Sequence, residues 1–206
     1  MNRCSTYPEE QVLFMDEVIV NFSLLKAYKI KSEKKVKIYV GITKEGKLIE
    51  PLLQYSLDIG FGKIPSFTSS VFYTYTDDSI VALNTWIENC LTQYTKSRPA
   101  LLFLDAYNFH ISKDFLSLLT KINVEVLFLP EGSSCILNPL RKIAPKLQAS
   151  IMEMAMQMES GKHTRKEVKQ GKIQEWITKS LENLVETQAD LFGDAFNFLK
   201  SSNLAS

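Results

Sequence analysis

Two aspartates stand where an ionised side chain costs free energy. Asp16 interrupts the apolar run QVLFMDEVIV, and Asp105 ends the apolar run ALLFLD. Carboxylates are seldom buried without a partner, because desolvation disfavours the charged form. Side by side near one end of a sheet, the pair would make a carboxylate cluster able to hold Mg²⁺ or Mn²⁺. Two-metal phosphoryl chemistry uses such a cluster to orient water and stabilise the leaving oxygen. It also needs a third acid, usually delivered by a helix packed across the sheet. The competing reading is local: Asp105 closes its strand through the turn DAYNFH, with side-chain-to-backbone hydrogen bonds. Each acid taken alone fits that local reading.

Other chemistry-bearing residues are sparse. His110 and His163 are the only histidines. His110 reads first as a strand-end turn residue and second as support for a metal site. His163 lies in a polar break and reads as exposed. The cluster Ser133, Ser134 and Cys135 has no readable His/Asp arrangement around it, so loop chemistry explains it better than a nucleophile does. Cys4, Cys90 and Cys135 are odd in number and lack metal-ligand spacing, which reads as reduced thiols, two of them expected to be buried. Lysines and arginines gather at 26–37 and 162–172, with Lys34, Lys35, Lys166 and Lys169 the candidates for weak phosphate contact. A solvated face is the simpler reading of both runs.

Something must position the two acids. The chain has 206 residues, 45% hydrophobic and 23% charged, with a formal net charge of +1. Those values describe one globular domain with a real core and argue against a strongly basic nucleic-acid binder. No apolar run is long enough to span a bilayer, and the first residues lack the apolar core of a signal peptide. Because the first strand begins so near residue 1, the chain is expected to be a piece of a longer protein.

Strand signals come first: 11–20, then VKIYVGIT and LIEPLLQY joined by KEGK as a hairpin. Pro51 predicts an edge or a bulge in the second hairpin strand. A loop and the short strand SVFYTYT follow. Asp77, Asp78 and Ser79 then cap a helix whose apolar face carries Ile80, Leu83, Trp86, Ile87, Leu91 and Tyr94. ALLFLDAY reads as a strand buried on both faces in the sheet centre, and VEVLFLP, after the helix SKDFLSLLTKI, as another buried strand. Residues 138–160 read as a long helix, and MEMAMQM belongs to it despite its period of two, since it lacks β-branched residues. A last helical zone carries Ile173, Trp176, Ile177, Leu181, Leu184 and Val185 on one face. Gly193 is expected to split that zone, and Phe192, Phe196 and Leu199 share a face beyond it. The order predicts an α/β layer with a mixed sheet, ribonuclease H-like in sequence of elements. The expected division is an extension over 1–10, a core over 11–160 and a C-terminal helical segment over 161–206 packed on that core.

At this point the motifs resemble a family. VLFMDEVIVNF is similar to the MDE strand of pogo-type DDE transposases, the group of pogo, Tigger and jerky elements and centromere protein B. RPALLFLDAYNFHIS resembles their LLLDN…H segment, and VEVLFLPEGSSCILNPLRKI resembles FLPPNTTSLLQPLDQGI. KKVKIYVGITKEGKLIEPLLQY, Trp86 and the late EWITKSLENL segment fit the same pattern, so the resemblance runs from about residue 11 to 203.

The resemblance implies a ribonuclease H-like core that cuts and joins DNA with two Mg²⁺ or Mn²⁺ ions. Asp16 would be the first catalytic acid and metal ligand, and Asp105 the second. The third falls on the residue after NPL, which here is Arg141. Residues 106–140 lie between, a spacing that suits the family, so the departure is at an aligned position. LDN is also LDA here, and PPN is PEG. Glu131 lies in the preceding loop and Glu153 about three helical turns away, roughly 18 Å, so neither reaches the same point. An arginine cannot bind a cation, and its charge would repel one. The resemblance therefore implies a vestigial site with no cofactor, in which Arg141 pairs with Asp16 or Asp105. The expected role is a domesticated interaction or structural module of a nuclear protein. It would meet DNA or chromatin proteins through regions outside this chain, with no membrane association and with a homodimer left open. The alternative is a metal-dependent DNA endonuclease or transposase.

Overall fold

The computed structural model describes residues 6–21, 35–55, 72–107, 110–159 and 170–187. Six strands form one sheet in the order β4-β3-β2-β1-β5-β6. β1 (Val12–Asn21), β2 (Lys35–Thr43) and β3 (Leu48–Tyr55) run antiparallel in sequence. β5 (Ala100–Asp105) adds parallel to β1, and β6 (Val124–Leu129) parallel to β5. At the other edge, β4 (Phe72–Tyr75) lies parallel to β3. Pro51 sits in a bulge rather than at an edge. Between the pairs Tyr39–Leu52 and Gly41–Ile49 the register shifts, so Glu50 and Pro51 face Val40 alone.

The alternation of β1 and β5 decides what each face of the sheet carries. Val12, Phe14, Val18 and Val20 join Leu101 and Phe103 in one apolar cluster. That cluster is completed by α5 (Pro139–Glu159) through Leu140, Ile143, Leu147 and Ile151, and by α6 (Gln170–Thr187) through Trp176, Ile177, Leu181 and Leu184. Leu13, Met15, Leu102 and Leu104 point the other way. There they meet α1 (Ser79–Trp86) and its continuation, a π turn over Ile87–Leu91 and the short α2 (Thr92–Thr95). Phe115 and Leu119 of α3 (Lys113–Lys121) pack on this second face too. MEMAMQM is helical, as its composition predicts.

Two expectations are corrected. Ile80 is 40% exposed, and Ala82 packs in the apolar stripe instead. The stripe begins at Ala82 and Leu83 and continues through Trp86 and Ile87, while Ile80 stands ahead of it in the first turn, where its N–H is capped by Asp78. VEVLFLP, read as a buried strand, is the edge strand β6, with Glu125 exposed and Val126, Leu127 and Phe128 half-buried; of the cysteines, Cys90 is buried and Cys135 exposed. Cys4, Gly193 and the Phe192, Phe196 and Leu199 face lie outside the described residues.

Gly41 lets α1 lie close to the sheet. A Cβ there would come within 2.7 Å of Trp86 Cζ2. The indole nitrogen of Trp86 in turn donates to the carbonyl of Glu50 at 3.2 Å, beside the bulge.

Candidate carboxylate site

β1 and β5 bring the two acids together by register. Phe14 pairs with Phe103, and their rings stack with centroids 5.1 Å apart. Asp16 and Asp105 each lie two residues further along their strands, so they are the next layer on the same face, toward α5. Both are buried, with side chains 3% and 11% exposed. Two carboxylates so placed repel each other and lose hydration, which calls for a cation.

The cation is supplied by α5. Asn138 is completely buried just ahead of that helix; its side-chain oxygen accepts from the backbone N–H of Leu140 at 3.0 Å. Its side-chain nitrogen donates to the carbonyl of Met15 at 3.1 Å. One residue thus caps the helix and docks it on β1, and Pro139 occupies the first helical position, where no N–H is needed. Arg141 follows and reaches across both strands. Its Nε lies 2.9 Å from Asp16 Oδ2 and its Nη2 3.0 Å from Asp105 Oδ2. Nη2 also donates to Tyr107 Oη at 3.0 Å. Asp16 Oδ2 accepts no directed hydrogen bond, so its link to Arg141 is coulombic. Asp16 Oδ1 accepts from the N–H of Glu17 at 2.8 Å. Ser134, in the short helix α4 (Ser134–Leu137), donates to Asp105 Oδ1.

Burial pushes the Asp16 carboxyl up to about 7, against the pull of Arg141 and of the Glu17 N–H. For Arg141, burial works against the charge, but Asp16 and Asp105 outweigh it and hold the guanidinium above its ordinary value. The arginine remains charged throughout the range in which Asp16 titrates.

His110 lies behind the pair, on the opposite side of β1. It is 1% exposed. Its Nδ1 is 2.6 Å from the carbonyl of Asp105 and its Nε2 is 3.1 Å from Glu17 Oε1. The ring thus has an oxygen acceptor within hydrogen-bond distance of each nitrogen. The His110–Glu17 dyad ties the β5 exit to β1.

A divalent metal does not fit this arrangement. Mg²⁺ requires near-octahedral oxygen ligands at about 2.0–2.1 Å, and among the described residues no group of three His, Cys, Asp or Glu could hold an ion. The two acids already face a guanidinium that would repel a second cation. Glu131 and Glu153 are both exposed and supply no third ligand. What the geometry can do is fasten a helix to two strands.

Sequence reading places Asp16, Asp105 and Arg141 but not Tyr107, Ser134 or Asn138. The Asn-Pro pair before a helical run is the one local sign of the last. Of the basic candidates, Lys35 lies exposed at the start of β2, while Lys34, Lys166, Lys169 and His163 lie outside the described residues.

Among solved structures, the Mos1 transposase catalytic domain bound to raltegravir and Mg superposes with a TM-score of 0.52. It is 12% identical, over 97% of this chain and 86% of that one. In fold, the chain is similar to transposase catalytic domains. The mariner Mos1 paired end complex with Mg gives a TM-score of 0.55 at 12% identity, covering 99% of this chain and 58% of that chain. The corresponding complex with Mn gives 0.52 at 13%, covering 95% and 54%. The mixed sheet is thus ribonuclease H-like, as its order of elements predicts. No family model matches the chain, and neither does any curated protein. Among the described residues, no helix is long and apolar enough to cross a membrane.

Proposed function

We propose that the chain is a transposase-derived domain, of the pogo, Tigger and jerky kind, in which an internal ion pair has replaced metal chemistry. Arg141 carries this reading, because its guanidinium stands within 3.0 Å of both carboxylates. The fold outlives the reaction because Arg141 holds α5 on β1 and β5 without any metal. The protein then serves as a structural or interaction module in a nuclear, DNA- or chromatin-associated setting. Contact with DNA or chromatin proteins runs through regions outside this chain, and a homodimer is compatible with the reading.

Supercoiled plasmid with Mg²⁺ or Mn²⁺ tests it. The expected result is no nicking above a heat-treated control. Metal-dependent nicking that disappears in Asp105→Ala would replace this reading with a DNA endonuclease or strand-transfer enzyme. Retention of defined nuclear proteins or DNA from extract, compared with Arg141→Met, tests the module role separately.

A further inference from the structure

A second site lies at the opposite end of the sheet. The entries of β1 and β5 border an open cleft of about 530 Å³, whose walls include Tyr7, Pro8, Glu10, Gln11, Arg98 and Pro99. β5 separates it from Asp105 by roughly 17 Å, at about 3.3 Å per residue. It is independent of the carboxylate site and of the function proposed for that site.

Three observations converge on this cleft. Gln11 is 2% exposed, and its Oε1 is buried with no hydrogen-bond partner. Its Nε2 reaches only the carbonyl of Glu10, at 3.4 Å, and Tyr94 already donates to that carbonyl at 2.8 Å. Buried acceptors of this kind are rare in folded chains and call for a donor. Across the cleft, Arg98 is anchored by its backbone N–H and its Nε on the carbonyl of Thr95, at 3.0 and 3.2 Å. Its η nitrogens make no hydrogen bond among the described residues. The turn that presents Arg98 is strained: Lys96 and Ser97 have φ of 50° and 61°. Non-glycine residues take such angles at a cost and keep them where the surroundings demand it.

We propose that the cleft binds the C-terminal end of a peptide. The terminal carboxylate pairs with the two η nitrogens of Arg98, a planar fork suited to bidentate binding. The preceding amide N–H donates to Gln11 Oε1, and the flanking residues lie against Tyr7, Pro8 and Pro99. Glu10 on the same wall disfavours a dianion such as phosphate and leaves a monocarboxylate with an adjacent N–H as the matching group. Capture of a chain terminus by a cation and fixed polar groups is a recurrent mode of peptide recognition.

Titration of the ¹⁵N-labelled chain with N-acetylglycylglycine, and in parallel with its C-terminal amide, tests the proposal. The acid should give saturable shifts at the Gln11 side-chain amide and the Arg98 Nε–H, with a dissociation constant on the order of millimolar for so small a probe. The amide should bind at least tenfold more weakly, on the order of the loss of one charge-assisted pair. Arg98→Ala, at an exposed position, should lose binding to the same degree. Gln11→Leu should lose it without lowering Tm, since it removes a buried unsatisfied oxygen. Equal affinity for acid and amide, shifts confined to other residues, or no saturable shift at millimolar probe would overturn the proposal.

Discussion

Arg141 joins Asp16 on β1 to Asp105 on β5, with Nε 2.9 Å from one carboxylate and Nη2 3.0 Å from the other. Neither acid has another cation beside it among these contacts. The bridge is consequently structural in a definite sense: it connects the start of α5 with two neighbouring parallel strands, in the layer next to the stacked Phe14 and Phe103.

Removing the cation should be costly because the acids stay. Breaking a buried ion pair by deleting one partner costs about 3–5 kcal/mol. Arg141 is about one-third exposed, at 34%, so solvent screening reduces that figure. Arg141→Met is expected to lose about 2 kcal/mol in urea unfolding at pH 8. Adding Asp16→Asn to Arg141→Met should recover part of the loss, which a double-mutant cycle would quantify.

Stability should fall as pH rises from about 4 to about 7. Asp16 titrates near 7 in the folded chain against an ordinary value of 3.8. Across that window the folded state binds more protons than the unfolded state, so the slope of unfolding free energy with pH is negative. Below the window both states are protonated at Asp16; above it both are ionised, and the slope from this group vanishes. The total fall is on the order of a few kcal/mol. Asp16→Asn should abolish this component, as read from denaturation midpoints between pH 4 and 8.

Asn138 has two duties that alanine cannot perform. Loss of a helix cap costs about 1 kcal/mol, and an abandoned buried carbonyl at Met15 about 1–3 kcal/mol more. Asn138→Ala should therefore destabilise by roughly 2–4 kcal/mol. Hydrogen exchange should show the first turn of α5 losing protection before the sheet does.

Gly41→Ala would place a methyl 2.7 Å from Trp86 Cζ2. Overpacking of this kind costs about 1–3 kcal/mol. A shift in Trp fluorescence alongside a lower Tm should report it, because the ring that must move is the reporter.

Much of this arrangement is written locally. Apolar runs mark the central strands, and breakers mark the turns, so the order of elements is readable before any contact is known. The placement of Asp16 and Asp105 on one face follows from alternation along β1 and β5, once the two strands are neighbours. Other features depend on contacts distant in sequence. His110 meets Glu17 across 93 positions, and Asn138 meets Met15 across 123; no local spacing encodes either. The parallel addition of β4 to β3 has no local sign either, since a short apolar run does not state the direction in which it pairs. The π turn was hidden because apolar spacing looks helical on both sides of it.

Manganese binding tests the central claim most directly. Mn²⁺ titrated into the wild-type chain and into Arg141→Asp, followed by the free-ion electron paramagnetic resonance signal, separates an internal cation from an external one. Circular dichroism on the same samples confirms that the variant is folded. The account predicts no saturable Mn²⁺ binding by the wild type and a site in Arg141→Asp that is lost when Asp105→Ala is added. Saturable binding by the wild type, abolished by Asp105→Ala, would contradict it.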